Sequence, residues 1–134
     1  MSDVPTNLRT FLLADTDVAA IVATRVHQSS VPESVDAPYI WFTRDRSDGP
    51  RCLDNGVART TEQQFSVECI AESLSTSQAL ADAVSDALDG YRGTFGDSTV
   101  KGVFVDDQTD DYIPRGVSSD DGAFVAALQV RIFS

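Results

Sequence analysis

Apolar residues in this chain recur at two periods, and the switches between them mark out elements. Leu8, Phe11 and Leu12 fall at i, i+3 and i+4 behind Pro5, which suits a first turn, so a helix is predicted over Pro5 to Ala14. Asp15-Thr16-Asp17 ends it and caps a second short helix, Val18 to Ala23, with Ile21 and Val22 inward. Arg25 to Gln28 reads as a short strand, and Ser29 to Ala37 as a loop broken by Pro32 and Pro38. Tyr39 to Arg44 is aromatic and β-branched and reads as a strand. Its apolar residues run consecutively, so both faces should be covered, by the core or by a partner. Asp45 to Asn55 is polar, is punctuated by Gly49-Pro50, and reads as a loop.

Residues 58 to 72 read as a long strand. Phe65, Val67, Cys69 and Ala71 alternate on one face against Gln64, Ser66 and Glu68, with Ile70 an apolar exception. The clearest helix is Thr76 to Asp89. Ser75 and Gln78 form a capping box, Leu80, Val84, Ala87 and Leu88 a stripe, and Asp89-Gly90 a stop. Val100 to Asp107 and Phe124 to Phe133 are predicted strands. The first turns Val103 and Val105 to one side, and the second turns Phe124, Ala126, Leu128, Val130 and Ile132. Gln108 to Gly122 is then a loop between them. The order α, α, β, β, β, α, β, β implies an α+β fold. A mostly antiparallel sheet packs against one main helix, with a helical N-terminal segment and a C-terminal β-hairpin. The helix stripe should face Phe65, Val67, Leu128 and Val130.

Length and charge narrow the function. At 134 residues the chain reads as one domain, 1–134, able to bury roughly two thirds of its surface. The net charge is −11, from 21 acids against 10 bases. That argues against gripping nucleic-acid phosphates or an anionic membrane surface. No apolar stretch approaches the roughly 18 residues of a membrane span, and Met1 to Thr6 lacks the pattern of a signal peptide. The expected compartment is therefore a cytoplasm, where Cys52 and Cys69 would be reduced thiols. Asp outnumbers Glu 17 to 4 and Arg outnumbers Lys 9 to 1, a bias of a GC-rich or halophilic host that speaks to origin more than activity.

No catalytic motif stands out. His27, the one histidine, has the chemistry of a general base, but no nucleophile or orienting acid stands with it in a known motif, and an edge-strand structural role fits it better. HExxH, CxxC, the Walker loop and GxGxxG are absent. Two cysteines without companions do not suggest zinc, and Cys69 on an apolar face suits a core. The unusual feature is acidic. Asp106, Asp107, Asp110, Asp111, Asp120 and Asp121, with Tyr112 among them and Arg115 the one base, give −5 between positions 106 and 121. Three readings stand: a divalent-cation site of oxygen ligands, though without EF-hand spacing; a solvated hairpin tip; or a surface that docks on a basic partner or repels DNA. Arg44, Arg46 and Arg51 gather in one segment and are the natural counterpart. Trp41 and Phe42 serve either the core alone or the core and an interface.

Taken in order, several segments resemble one family. They are Arg25-Val26-His27; Ala37 to Phe42; Ala79 to Thr94; Val103 to Asp107; Asp111-Tyr112-Ile113-Pro114; and Leu128 to Phe133. Together they resemble the small tail-completion proteins of long-tailed bacteriophages, the DUF3168 family, over about residues 8 to 133. The chain departs from the family at His27, where a Tyr is frequent, and in the charged segment 45 to 57. The resemblance implies a tail terminator of siphovirus type: a homohexameric ring on the tail tube that stops polymerisation of the major tail protein. It implies as partners that tube protein and a head-completion or stopper protein, with DNA passing through the lumen unbound. It implies no enzyme activity and no cofactor, and a place at the neck of the virion after assembly in the host cytoplasm. Another neck component, a stopper or adaptor, shares the ring logic. A small cation-dependent enzyme using the acids at 106 to 111 is the alternative from a different class.

Overall fold

Alternation and helical periodicity place one side of every principal element in a common core. The computed structural model describes residues 4–28, 37–53, 58–95, 98–113 and 123–134. Its elements are α1 (Val4–Ala14), α2 (Thr16–Val22), β1 (Val26–Gln28), β2 (Tyr39–Leu53), β3 (Ala58–Ala71), α3 (Leu74–Leu88), β4 (Gly93–Phe95), β5 (Ser98–Val100), β6 (Gly102–Ile113) and β7 (Ala123–Phe133). Five strands form one sheet in the order β1-β2-β3-β7-β6, antiparallel except for the β1–β2 pair. β4 and β5 form a separate two-stranded ribbon. The α+β class holds, with helices packed on a mostly antiparallel sheet.

The helix layer supplies Leu8, Leu12, Val18, Val22, Leu80, Val84 and Leu88 to the core. The sheet supplies Ile40, Phe42, Phe65, Val67, Cys69, Leu128, Val130 and Ile132, all alternate residues on its inner face. The α3 stripe therefore faces the predicted strands. Its buried members run Ser77, Leu80, Ala81, Val84, Leu88, so Ala87, placed in the stripe from sequence, is only half-buried and Ala81 takes its place. The buried Ser77 hydroxyl is satisfied by donating to the Leu74 carbonyl at 3.0 Å.

Both caps follow from local chemistry. Asp15 Oδ1 accepts from the amides of Asp17 and Val18 at 3.0 and 3.1 Å, starting α2 as expected. For α3 the cap is Ser73, not Ser75. Its extended backbone lets Oγ accept from Thr76 N at 3.2 Å, and the helix begins two residues earlier than predicted. At the other end Gly90 turns the chain at φ 78°, a conformation costly to other residues, and its amide donates to Val103 O at 2.8 Å.

Three elements depart from the sequence reading. β2 does not stop at Arg44 but continues to Leu53, paired with β3 through register shifts between Arg44 and Arg46 and between Asp48 and Arg51. β6 does not end at Asp107. It runs to Ile113, so the predicted loop from 108 is strand for its first six residues. Val100 belongs to β5, separated from β6 by Lys101. The β4–β5 ribbon packs through Phe95 against Phe11 and Tyr91, with ring centroids 4.6 and 5.4 Å away. The predicted loop over 29–36 and the acidic tip at 114–122, with Arg115, Asp120 and Asp121, lie outside the described residues.

Candidate functional site

The acidic cluster sits on a sheet edge. β6 pairs only with β7 among the described residues, so its far side is open. A free edge presents amides that invite another strand. Here carboxylates occupy them. Asp107 Oδ1 accepts from the Gln108 amide at 2.9 Å, and Asp111 Oδ1 from the Tyr112 amide at 2.8 Å. Asp89 Oδ1, from the end of α3, accepts from the Val105 amide at 3.1 Å. Asp110 Oδ2 accepts from Gln78 Nε2 at 3.3 Å, tying the edge to α3.

Asp106 lies at the register shift between Val105 and Asp107 and takes a different partner. Arg131 of β7 donates to it twice, Nε to Oδ2 at 2.6 Å and Nη2 to Oδ1 at 3.0 Å, a forked charge-assisted pair. Glu62 stands 3.7 Å from the same guanidinium. The hydrogen bond to Asp106 is the main cause holding the Arg131 pKa above its ordinary value. The guanidinium also lies 5.5 Å from the ring centroids of Phe104 and Phe133. The group is exposed, so these contacts organise the surface more than they stabilise it. At the other end of β6, Tyr112 packs on Phe124 with centroids 4.8 Å apart. With Leu74, Asp110 and Asp111 they line a shallow groove.

The remaining candidates separate. Phe42 is fully buried against Phe65, its ring 6.2 Å away and edge-on, so it is core and not surface. Trp41 is half-buried on the opposite sheet face, packed with Tyr39 on a small cluster of Ile70, Ala123 and Val125. Arg44 and Arg46 are exposed on β2, and Arg51 lies on the same strand. Arg44 Nη1 donates to Gln63 Oε1 at 3.4 Å. The structure thus brings Asp110, Asp111 and Tyr112 together. It places the arginines on the other side of the sheet, with β3 and β7 between. Arg131, Phe104 and Leu74 were not named from the sequence. Alternation along β7 puts Arg131 on the face opposite Val130 and Ile132, which was the available signal for it.

His27 is half-buried on β1, with Tyr39 6.3 Å away edge-on. Burial, helped by Arg9, holds its pKa below the ordinary histidine value. Neither His27 Nε2 nor Trp41 Nε1 finds a hydrogen-bond partner. Among the described residues no group of three or more His, Cys, Asp or Glu is placed to hold a metal ion. Cys69 lies fully in the core, and burial pushes its thiol up to about 12. An unfolded thiol titrates near ~8.5, so its folded-state protonation contributes stability below that pH, lost as pH rises from ~8.5 towards the folded value. In a Cys52→Ser background, maleimide at pH 8 is expected to label Cys69 only in denaturant. Rapid labelling of the folded chain would place the thiol at the surface.

The layout is a strand edge capped by carboxylates with helices on one face of the sheet. The family model for tail completion protein gp17 matches residues 6–133. The chain belongs to that family. It is a structural protein of a tail. A chain in the solved virion of the native gene transfer agent particle is similar in fold, with a TM-score of 0.67 and 21% identity. That match covers 98% of this chain and 95% of the other. No curated protein sequence matches the tail protein.

Proposed function

We propose that this tail completion protein forms a homohexameric ring on the head-proximal end of the tail tube. There it stops addition of the major tail tube protein and offers the other rim of the ring to a head-completion or stopper protein. The observation that carries this reading is the family match over 6–133, nearly the whole chain. Physical features agree with it. A ring subunit works through surfaces and needs no catalytic group, so the reading is of a non-enzyme. Its neighbours must meet through two different surfaces whose rotation closes. An assembly of subunits each carrying −11 lets DNA pass without adhering, since a negative lining repels phosphate.

The test is omission. Particles assembled without this protein are expected to carry tubes of uncontrolled length that fail to join heads, and adding the purified protein should restore defined tails. Normal joined tails in its absence would overturn the reading. Abnormal joints on tubes of normal length would move the protein to a stopper or adaptor position.

A further inference from the structure

The two sides of the sheet differ in charge and in apolar exposure. The three exposed large hydrophobic residues among those described are Leu74, Phe104 and Tyr112, at 43%, 47% and 47%. All lie along β6 or at the start of the adjacent α3. Leu74, Tyr112 and Phe124 form the apolar floor of the groove, and Asp110 and Asp111 its acidic rim. Because Asp89, Asp107 and Asp111 already occupy three edge amides, a partner must engage this edge through side chains and not by adding a strand.

The opposite side carries most of the arginines of the sheet, three on β2 against Asp45 and Asp48 on the same stretch. β1 covers only Ile40 to Phe42 of β2, so from Thr43 onward β2 is itself the sheet edge among the described residues. That stretch carries Arg44, Arg46 and Arg51. The Asp45 on it is engaged by the hydroxyls of Ser66 and Thr43. Arg9 and Arg25 flank β1, each held by its Nε, which donates to the Val26 and Pro38 carbonyls at 2.7 and 2.8 Å. Trp41 and His27, with their unpartnered ring nitrogens, lie at the same end of the sheet.

We propose that copies of this chain join head to tail, the β6 edge of one, with Asp110, Asp111 and the Leu74–Tyr112 groove, docking on the Arg44 and Arg46 side of the next. The proposal rests on the ring reading and specifies its subunit contact. Two unlike surfaces on opposite sides of one sheet are what a heterologous, closing contact requires. An apolar anchor rimmed by charge is the usual anatomy of such an interface. The charges decide the occupant. Subunits of −11 repel one another, and the contact that best offsets this sets the most acidic edge against the arginine-bearing one. Asp110 and Asp111 then lie between subunits and not on the lumen wall.

A charge exchange tests it. One variant carries Asp110→Lys and Asp111→Lys, the other Arg44→Asp and Arg46→Asp, all at exposed positions. Ring formation is read by analytical ultracentrifugation, alone and on tail tubes, with circular dichroism to confirm folding. Each variant alone should lose the ring, because like charges then meet at every contact. An equimolar mixture should recover it, since alternating subunits restore opposite charges throughout. Either variant forming rings alone as wild type does, or two folded variants failing to assemble when mixed, would overturn the contact. If the lysine pair does not fold, Asp110→Asn with Asp111→Asn takes its place. It should weaken rings at least tenfold, and less so as salt rises, with an unchanged ring overturning the contact. Wild-type protein that forms no ring under either condition would refute the ring reading itself.

Discussion

Replacing Phe65 by alanine is expected to remove about 3–5 kcal/mol of stability, the range for deleting a buried aromatic ring. Phe65 is fully buried at the centre of β3, between β2 and β7, and packs edge-on against Phe42. Arg44 and Val130 lie opposite it on the flanking strands, so the vacated volume is bounded by paired backbone that cannot collapse far. Native proteins have about 5–15 kcal/mol in total, so the variant should sit near the edge of folding. Urea denaturation checks this: a midpoint equal to wild type would mean that the core is not centred there.

Introducing a carboxyl at Val67, as Val67→Asp, should be more severe at neutral pH and should reveal its cause by titration. Val67 is fully buried, paired with Phe42 on one side and Leu128 on the other. A charge there has no partner, and its uncompensated burial costs several kcal/mol, about what the whole fold supplies. Burial raises the folded-state pKa of the new acid above its unfolded value of ~3.9. Its penalty is therefore absent below ~3.9 and grows as pH rises from there. Relative to wild type, the variant should regain helical and sheet ellipticity on acidification towards pH 4. A stability gap independent of pH would show that the carboxylate is solvated and the site not truly buried.

Where burial shaped an element, it was legible in the sequence. The α3 stripe, the alternation of β3 and the inward face of β7 each follow from apolar residues meeting the same core. Where pairing shaped it, the pattern was silent. Asp45 to Leu53 and Gln108 to Ile113 are held by backbone bonds to a neighbouring strand while most of their described side chains face water, so no alternation marks them. Asp, Gly and Pro are also poor strand formers, which made both segments read as loops. The same residues carry the candidate site. Their clustering was visible in the sequence, but their role as carboxylates capping the open edge was not, because it depends on β6 being the last strand of the sheet. The Asp106–Arg131 pair likewise joins residues that only the β6–β7 register brings together.

The copy number of this chain at the end of the tube separates a ring from any other arrangement. Native mass spectrometry of the protein bound to tubes of the major tail protein measures it directly. The predicted increment is six times 14.4 kDa per tube end, with no further tube growth after it binds. A single copy, a different number, or binding along the tube wall with growth continuing would contradict the account.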